Sequence, residues 1–352
     1  MSDRKNQLSW ELNSIGRFSD YLTTWDELNA EGPQSPLLST DFVLPVINCF
    51  GRPVDRLAIC RLETKPIAMV ILGPVGFCRW STLNPVLDPL HPPVAPLGLW
   101  VALKDTQITE MLPSLLRKLP GFPLLLSVMN QDTRLSHRPN DLGEFNTVDH
   151  IETPSIYLEA SFAEYWKDRK KHFKHDLRRR RNNLIKSGRI PRLEVVISAK
   201  SAEEAFDDFC QMENSGWKGR EAVSLERNQH TKRCYREMWT RFSKRENARA
   251  YRYFYNDRLV ATDLCLKSHQ TLSILKTTYE EAEAATGPAS LMREEQLRDI
   301  VERDSEIRRL EFYGPLMDWQ KRWVTEVRTM YHLNCYRFTF LRKLRQAMNR
   351  LR

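Results

Sequence analysis

The stretch TTYEEAEAATGPASLMREEQL, Thr277–Leu297, marks the point at which a predicted strand passes into a predicted helix. The β-branched and apolar run TLSILKTT, which ends at Thr278, is typical of a strand. A short acidic loop then leads to Gly287–Ser290, and the apolar residues after it recur at helical spacing. The sequence therefore puts a glycine, a proline and two small residues directly at the start of a helix.

This helix start is a candidate anion-binding site. The first turn of a helix has N–H groups without intrahelical partners and carries the positive end of the helix dipole, so it attracts phosphates. Small residues at this point let the backbone approach the anion closely. We expect Gly287, Pro288, Ala289, Ser290 and Leu291 to bind a phosphate-bearing cofactor. Because proline has no N–H, the expected amide donors are Ala289, Ser290 and Leu291.

The composition is that of a soluble protein that can bury a sizeable core. The chain has 352 residues, of which 41% are hydrophobic and 28% charged, and its length favours two domains or one large one. Its seven cysteines are scattered and never spaced as CxxC, so neither a zinc site nor a disulfide framework is indicated. We expect free thiols, a cytoplasmic location and no metal cofactor.

The net charge of +9 is spread unevenly along the chain. Between Lys167 and Arg192 there are twelve Lys or Arg residues, against only Asp168 and Asp176. Such a basic segment suits nucleic acid, a phosphorylated substrate or an anionic membrane, and it suits a solvent-exposed helix face equally well. The sequence leaves these alternatives open.

Two α/β regions follow one another along the chain. In residues 1–155, strand patterns such as Arg56–Leu62 alternate with helical ones, which predicts an α/β domain. Residues 156–336 contain predicted helices, three antiparallel strands, the Gly287 loop, a helix and a further strand. Residues 337–352 have the pattern of a basic amphipathic helix.

Several segments within residues 160–335 together resemble the acyl-CoA N-acyltransferase (GNAT) superfamily. They are LRRRRNNLIKSG, ENSGWKGRE, LVATDLCLK, LKTTYEEAEAATGPASLM and EFYGPLMDWQKRW, and SPLLSTDFVLPVINCFG near the N-terminus also fits. More narrowly, they resemble the bacterial acetyltransferases associated with cellulose and exopolysaccharide synthesis. The resemblance implies a mixed α/β fold with helices flanking the sheets, in tandem GNAT-like units of which residues 1–155 form a degenerate one. It also implies that the Gly287 loop holds the pyrophosphate of coenzyme A.

Three elements of the sequence depart from the family pattern. Gly287-Pro288-Ala289 stands where the family has Ser-Pro-Gly, Glu311 replaces an aspartate, and Gln320 stands at the position of a lysine. These departures point to altered cofactor contacts or an altered acyl donor.

The chemistry of acyl transfer indicates which residue types to look for. A carboxylate takes the proton of an amine acceptor, a tyrosine or similar group protonates the leaving thiolate, and backbone N–H groups stabilise the oxyanion. Glu311, at the end of a predicted strand, is the first candidate base and Glu280 the second. Tyr279 is the candidate acid. Each of the three also suits a structural role, as a carboxylate at a strand end or a packing tyrosine.

Three further residues are candidates for binding the acceptor or lining the cofactor cleft. Trp217 and Lys218 belong to the GWKG element, and Lys276 is expected to alternate with Leu272 and Ile274 on one face of a predicted strand. An amine among apolar strand residues indicates a charge that faces a cleft. A tryptophan buried in a turn and a lysine in solvent near a strand end satisfy the same pattern.

These residues lead to three functional hypotheses. The first is transfer of an acyl group, acetyl in the family pattern, from acyl-CoA to an amine or hydroxyl of a small molecule or of a cell-envelope or polysaccharide precursor. The second is Fem-type transfer from aminoacyl-tRNA, in which the basic segment would hold tRNA phosphates. The third is a non-enzymatic nucleic-acid or membrane-surface binder, with residues 337–352 as a peripheral membrane contact.

Overall fold

The computed structural model describes residues 8–85, 94–158 and 161–350. The helices are α1 (Leu22–Glu31), α2 (Thr40–Phe50), α3 (Ile108–Lys118), α4 (Phe162–Lys167), α5 (Lys171–Lys186), α6 (Ala199–Ser215), α7 (Trp217–Arg220), α8 (Gln229–Lys244), α9 (Pro288–Arg303) and α10 (Thr339–Arg350). The strands are β1 (Leu8–Ser14), β2 (Arg56–Leu62), β3 (Lys65–Pro74), β4 (Arg79–Thr82), β5 (Trp100–Ala102), β6 (Leu125–Asp132), β7 (Phe145–Tyr157), β8 (Pro191–Val196), β9 (Ala248–Tyr255), β10 (Arg258–Ser268), β11 (Thr271–Tyr279), β12 (Arg309–Glu311) and β13 (Glu326–Tyr336). Within the described part of the chain, no helix combines the length and the hydropathy that crossing a bilayer requires.

The chain divides into two compact units. Unit 1 comprises Met1–Glu152 and Arg328–Arg352, and unit 2 comprises Thr153–Val327. Residues 328–336 were expected in the second domain, but they belong to unit 1. The reason is the strand β13, which pairs antiparallel with β6 and so completes the sheet of unit 1.

The sheet of unit 2 has the strand order β7-β12-β11-β10-β9-β8. The four strands β8 to β11 are antiparallel to their neighbours, β11 and β12 are parallel, and β7 pairs antiparallel with β12. The helices α6 and α8 cover one face of this sheet, and α9 covers the other. The strands at Ala248–Tyr255, Arg258–Ser268 and Thr271–Tyr279 lie within two residues of the three predicted from the sequence.

The sheet of unit 1 repeats this pattern. Its order is β1-β2-β3-β4-β6-β13, with β5 paired to β3. The strands β1 to β4 are antiparallel, β4 and β6 are parallel, and β13 is antiparallel to β6. In each unit a helix precedes the parallel strand, α3 in unit 1 and α9 in unit 2. The repeat confirms the expected tandem arrangement of mixed sheets flanked by helices.

The basic segment is attached to unit 2 by the apolar side of α5. Phe173, Leu177 and Leu184 are buried in the core of the unit, whereas Lys171 and Arg178 are exposed. Apolar residues at this spacing form one stripe of a helix, and the charged residues between them face water. The helix therefore packs through a narrow stripe and keeps most of its charge at the surface.

A buried ion pair joins α9 to the centre of the sheet of unit 2. The guanidinium of Arg293 lies 2.6 Å from the carboxylate of Asp263 on β10, and both side chains are almost fully buried. Gln296 hydrogen-bonds to both partners, and the guanidinium also lies over the ring of Phe312. A charge in this core is tolerable only with its partner, because each ion would otherwise be desolvated without compensation.

This pairing predicts a strong asymmetry between single and double substitutions. We expect Asp263→Ala to lower the free energy of unfolding by about 3–5 kcal/mol, because Arg293 would remain buried without its counter-ion. The double change Asp263→Leu with Arg293→Met should cost much less, because it removes both charges. Urea unfolding measures both values. Arg303→Met is the control, since this arginine of α9 is exposed and its loss should cost less than about 1 kcal/mol. A double variant as unstable as the single one would contradict the interpretation.

Candidate functional site

The strands β11 and β12 diverge after a short contact. They pair in parallel at only three positions, Thr271–Ser273 with Arg309–Glu311. β12 ends there, whereas β11 continues to Tyr279 and remains paired with β10 along its other edge. In the described part of unit 2, residues 274–279 therefore have one strand edge without a strand partner. An extended ligand can hydrogen-bond to such an edge.

A β-bulge in β11 decides where Lys276 points. Ile274 pairs with Cys265 and Lys276 pairs with Leu264, so Leu275 is an extra residue in β11. Cross-strand partners share a face of the sheet, and the adjacent residues Leu264 and Cys265 point to opposite faces. Lys276 and Ile274 consequently lie on opposite faces. The expected alternation of Lys276 with Ile274 on one face is wrong, because the bulge inverts it.

On its face of the sheet, Lys276 meets a buried carboxylate. Glu213, in the last turn of α6, has its Oε1 atom 2.8 Å from Nζ of Lys218 and 3.8 Å from Nζ of Lys276. Its Oε2 atom accepts a hydrogen bond from the amide of Leu225 at 2.9 Å. The ammonium of Lys276 also lies 5.0 Å from the ring centre of Tyr235 on α8. The structure thus brings together two of the predicted substrate-binding residues around an acid that the sequence analysis missed.

Burial and charge act against each other in this cluster. Burial lowers the pKa of Lys218 below its ordinary value, although the carboxylate of Glu213 opposes the shift. Burial acts to raise the pKa of Glu213, but Lys276 and Lys218 outweigh it, so the pKa of that carboxyl is lowered. Glu213 is therefore ionised at neutral pH, and the cluster holds more positive than negative groups. It suits an acceptor that carries an anionic group.

Glu311 lies on the same face of the sheet as Lys276. Glu311 pairs with Ser273 of β11, which in turn pairs with Leu266 of β10, whereas Lys276 pairs with Leu264 of β10. Leu264 and Leu266 are two residues apart on one strand and so point to the same face. With about 3.4 Å per residue and about 4.8 Å between strands, the Cα atoms of Glu311 and Lys276 are about 8 Å apart. The Glu311 side chain is fully buried. The first candidate base is thus a near neighbour of the lysine cluster.

Tyr279 and Glu280 lie apart from this cluster. Tyr279 pairs with Ala261, which shares a face with Cys265, so its side chain is on the α9 side of the sheet. Glu280 caps the backbone of Ala282 and lies 3.4 Å from the guanidinium of Arg258. Along β11, about 17 Å separates Tyr279 from the position of Glu311. The structure does not bring these three catalytic candidates into one centre.

The loop before α9 has the geometry that its glycine predicts. Gly287 has φ 68°, in the left-handed region that favours glycine. A Cβ atom at Gly287 would lie 2.6 Å from Nη1 of Arg180, which donates to the carbonyl of Ala285 at 3.1 Å. The left-handed conformation therefore favours glycine, and a larger residue would also displace the end of the Arg180 side chain. Arg180, one of the arginines of the basic segment, brings a positive charge to the predicted phosphate site.

Two of the three expected amide donors are already used inside the helix. The amides of Ser290 and Leu291 donate to the carbonyl of Gly287 at 3.0 and 3.1 Å, and the Leu291 side chain is fully buried. Ser290 and Leu291 were expected to donate their amides to a phosphate, but both amides donate within the first turn of α9 in this structure. Among the expected donors, the amide of Ala289 is the one for which the described residues provide no acceptor.

The acidic loop also fixes the Trp217 element. Oε1 of Glu281 accepts a hydrogen bond from the Trp217 amide at 2.6 Å, and Oε2 accepts one from Arg220 at 2.7 Å. The indole of Trp217 is half exposed, with Nζ of Lys218 6.0 Å from its ring centre. Glu281 therefore links the loop before α9 to the helix that carries Lys218.

The two described cavities, of about 470 and 940 Å³, both lie in unit 1. The larger one borders the start of α3, the counterpart of α9 in the repeat. That helix begins with Gln107 and the buried Ile108, where unit 2 has Gly287 and Pro288. Unit 1 thus keeps a concave surface but lacks the small residues that admit a phosphate. No group of residues in the described ranges has the composition of a metal site.

The comparison with known families agrees with this division. Residues 171–321 match the family model described as an acetyltransferase (GNAT) domain, which falls within unit 2. A search of the curated proteins finds no significant match. The narrower resemblance to exopolysaccharide-associated acetyltransferases stays a prediction.

Solved structures share the fold of almost the whole chain. One is the C-terminal domain (DUF2156) of a putative lysylphosphatidylglycerol synthetase from Agrobacterium fabrum, with 9% identity, coverage of 90% of this chain and 91% of that one, and a TM-score of 0.53. L-PGS from Bacillus licheniformis has 14% identity, the coverages 90% and 91%, and a TM-score of 0.51. FemX has 9% identity, the coverages 90% and 96%, and a TM-score of 0.53. At these identities the likeness concerns the fold alone.

The lysine cluster yields a prediction about titration. We expect Glu213→Gln to lower the pKa of Lys218 further, because the carboxylate is the charge that opposes the effect of burial. The pH at which Lys218 becomes half-reactive towards trace acetic anhydride, read by mass spectrometry, should therefore fall. Glu226→Gln, which removes the partner of Lys232, should leave that pH unchanged. An unchanged or higher midpoint in Glu213→Gln would show that Glu213 does not control Lys218.

Proposed function

Because residues 171–321 match the family model of an acetyltransferase (GNAT) domain, we propose that this protein transfers an acyl group from acyl-CoA to an amine or hydroxyl of an acceptor. The observation that carries the proposal is the open edge of residues 274–279, which leads directly to the Gly287 loop and the start of α9. An extended thioester arm fits along a free strand edge, and its phosphates fit a helix start.

In this proposal the donor is bound by the loop and by α9. The pyrophosphate contacts the amide of Ala289 and the guanidinium of Arg180, while the left-handed Gly287 keeps the loop open. Pro288, Ser290 and Leu291 shape the first turn. Tyr279 and Glu280, at the loop end of β11, contact the donor rather than the reacting atoms.

The acceptor is bound on the face of the sheet that α6 and α8 cover. Lys276 and Lys218 hold an anionic group of the acceptor, Trp217 borders the entrance, and Glu311 takes the proton from the attacking amine or hydroxyl. Backbone N–H groups beside the Leu275 bulge stabilise the oxyanion of the tetrahedral intermediate. Such an anionic acceptor is consistent with a cell-envelope or polysaccharide precursor.

A second candidate donor is aminoacyl-tRNA. The observation that favours it is the exposed row of Lys171, His175 and Arg178 along α5, together with the fold shared with FemX. Against it, Arg179 and Arg180 pair with Asp176, and Arg181 pairs with Glu294 and Glu295. Much of the positive charge that tRNA phosphates would need is thus neutralised within the unit.

The phosphate site can be tested by adding bulk at the helix start. We expect Ala289→Trp to raise the Kd for acetyl-CoA at least about tenfold, because the indole would occupy the space of the pyrophosphate. Isothermal titration provides the measurement. Ala163→Trp, at an exposed position of α4, is the control and should bind like the wild type.

Two results would overturn this assignment in different ways. If the wild type binds acetyl-CoA and Ala289→Trp binds it equally well, the phosphates are bound elsewhere. If the wild type binds no acyl-CoA but binds charged tRNA with an affinity that falls steeply with salt, the donor is aminoacyl-tRNA.

Substitutions of two neighbouring arginines, Arg180 and Arg179, test whether the positive charge at the Gly287 loop contributes to acetyl-CoA binding. We expect Arg180→Gln to raise the Kd for acetyl-CoA by about tenfold, because a charge-assisted contact with the phosphates is lost. Arg179→Gln removes the same charge one residue earlier, from a side chain that is largely exposed and pairs with the same Asp176. It should leave the Kd unchanged. Equal effects of the two variants would mean that only the overall charge of α5 matters.

A further inference from the structure

The apolar side of α10 is exposed to solvent. Phe340, Leu344 and Met348 lie four residues apart, so they form one stripe along the helix, and they are 63%, 56% and 53% exposed. The opposite side holds the helix to unit 1, where Nε of Arg342 donates to the carbonyl of Gly143 at 2.8 Å. An amphipathic helix on a protein surface ordinarily packs its apolar stripe inward. Here the stripe faces outward.

Further exposed aromatic residues lie at one end of three neighbouring strands of unit 1. Phe77 precedes β4, Phe122 precedes β6 and Phe338 follows β13, and all three are exposed. Their strand ends are adjacent, since the amide of Leu124 donates to the carbonyl of Cys78 and the carbonyl of Leu124 accepts from the amide of Arg337. The ring of Phe338 lies 6.5 Å from that of Phe122 and 5.7 Å from that of Phe340.

These residues define one apolar surface, formed by Phe77, Phe122, Phe338, Phe340, Leu344 and Met348. Exposed apolar residues that cluster on a protein surface often mark an interaction site. The surface combines aromatic residues in loops with an amphipathic helix.

Positive charge surrounds the helical part of this surface. Residues 337–350 contain five Lys or Arg and no Asp or Glu. At 100° per residue, Lys343 and Arg345 lie on opposite sides of the stripe, and both are exposed. An apolar stripe between two basic borders matches the boundary between acyl chains and anionic headgroups.

We propose that this surface docks unit 1 onto an anionic lipid membrane, with α10 lying parallel to the bilayer plane. A second copy of the chain fits this surface less well than a membrane does. A two-fold interface through the stripe would bring the basic borders of both copies together, and residues 337–350 offer no carboxylate to offset the repulsion. Anionic headgroups supply the missing negative charge. The proposal is independent of the acyl donor.

The experiment is co-sedimentation of the full chain with vesicles. We expect binding to phosphatidylcholine vesicles that contain about one third phosphatidylglycerol, little binding to phosphatidylcholine alone, and a loss of binding as salt is raised. Phe340→Ser with Leu344→Ser should reduce partitioning at least about tenfold, because two apolar anchors are lost. Lys343→Glu with Arg345→Glu should reduce binding to the anionic vesicles only.

A matched control removes apolar residues from another surface. Ile185→Ser with Ile190→Ser deletes two exposed aliphatic side chains of unit 2 and should leave vesicle binding unchanged. The proposal fails if the wild type does not co-sediment with anionic vesicles. It also fails if the Phe340/Leu344 variant binds the vesicles as well as the Ile185/Ile190 control does. It fails equally if the wild type is a dimer without lipid and the Phe340/Leu344 variant is a monomer, because the surface is then an interface between copies.

Discussion

The extra residue Leu275 in β11 is the constraint on which the proposed site depends. A strand alternates its side chains between two faces, so one additional residue exchanges the faces of everything after it. Without the bulge, Lys276 would lie with Ile274 against the core that α9 covers. With it, the ammonium meets Glu213 under α6 and α8, on the face that also carries Glu311.

Buried charged residues are paired differently on the two faces of the unit 2 sheet. On the α9 side, Arg293 and Asp263 neutralise each other in a closed pair with Gln296, which suits a structural role. On the other side, Lys218 and Lys276 share one carboxylate, so a positive charge is left for a ligand. A lysine whose pKa is lowered by burial beside a specific charge partner is common at binding and catalytic sites. This contrast is our reason for proposing that the acceptor binds on the face covered by α6 and α8.

The two units share a strand pattern but differ at the helix start that follows it. In both, four antiparallel strands are followed by a helix and a parallel strand. Unit 2 begins its helix with Gly287 and Pro288, whereas unit 1 begins with Gln107 and Ile108. Backbone amides reach a phosphate only where side chains leave space, so we infer that these few residues decide which of the two helix starts can admit a phosphate.

Local sequence patterns were enough to predict the strands β9 to β11, the start of α9 near Gly287 and the basic amphipathic α10. These features follow from short-range periodicity and from glycine and proline chemistry. Which of these residues contact one another became visible only in the folded chain. In the fold, Lys276 lies on the opposite face of the sheet from Ile274, and Glu213 and Arg180 reach Lys276 and the Gly287 loop from helices that are distant in sequence. Tyr279 and Glu311 lie far apart, and residues 328–336 belong to unit 1. A bulge or a long-range strand pairing leaves no periodic trace in the chain, since its free energy comes from contacts between residues far apart in sequence.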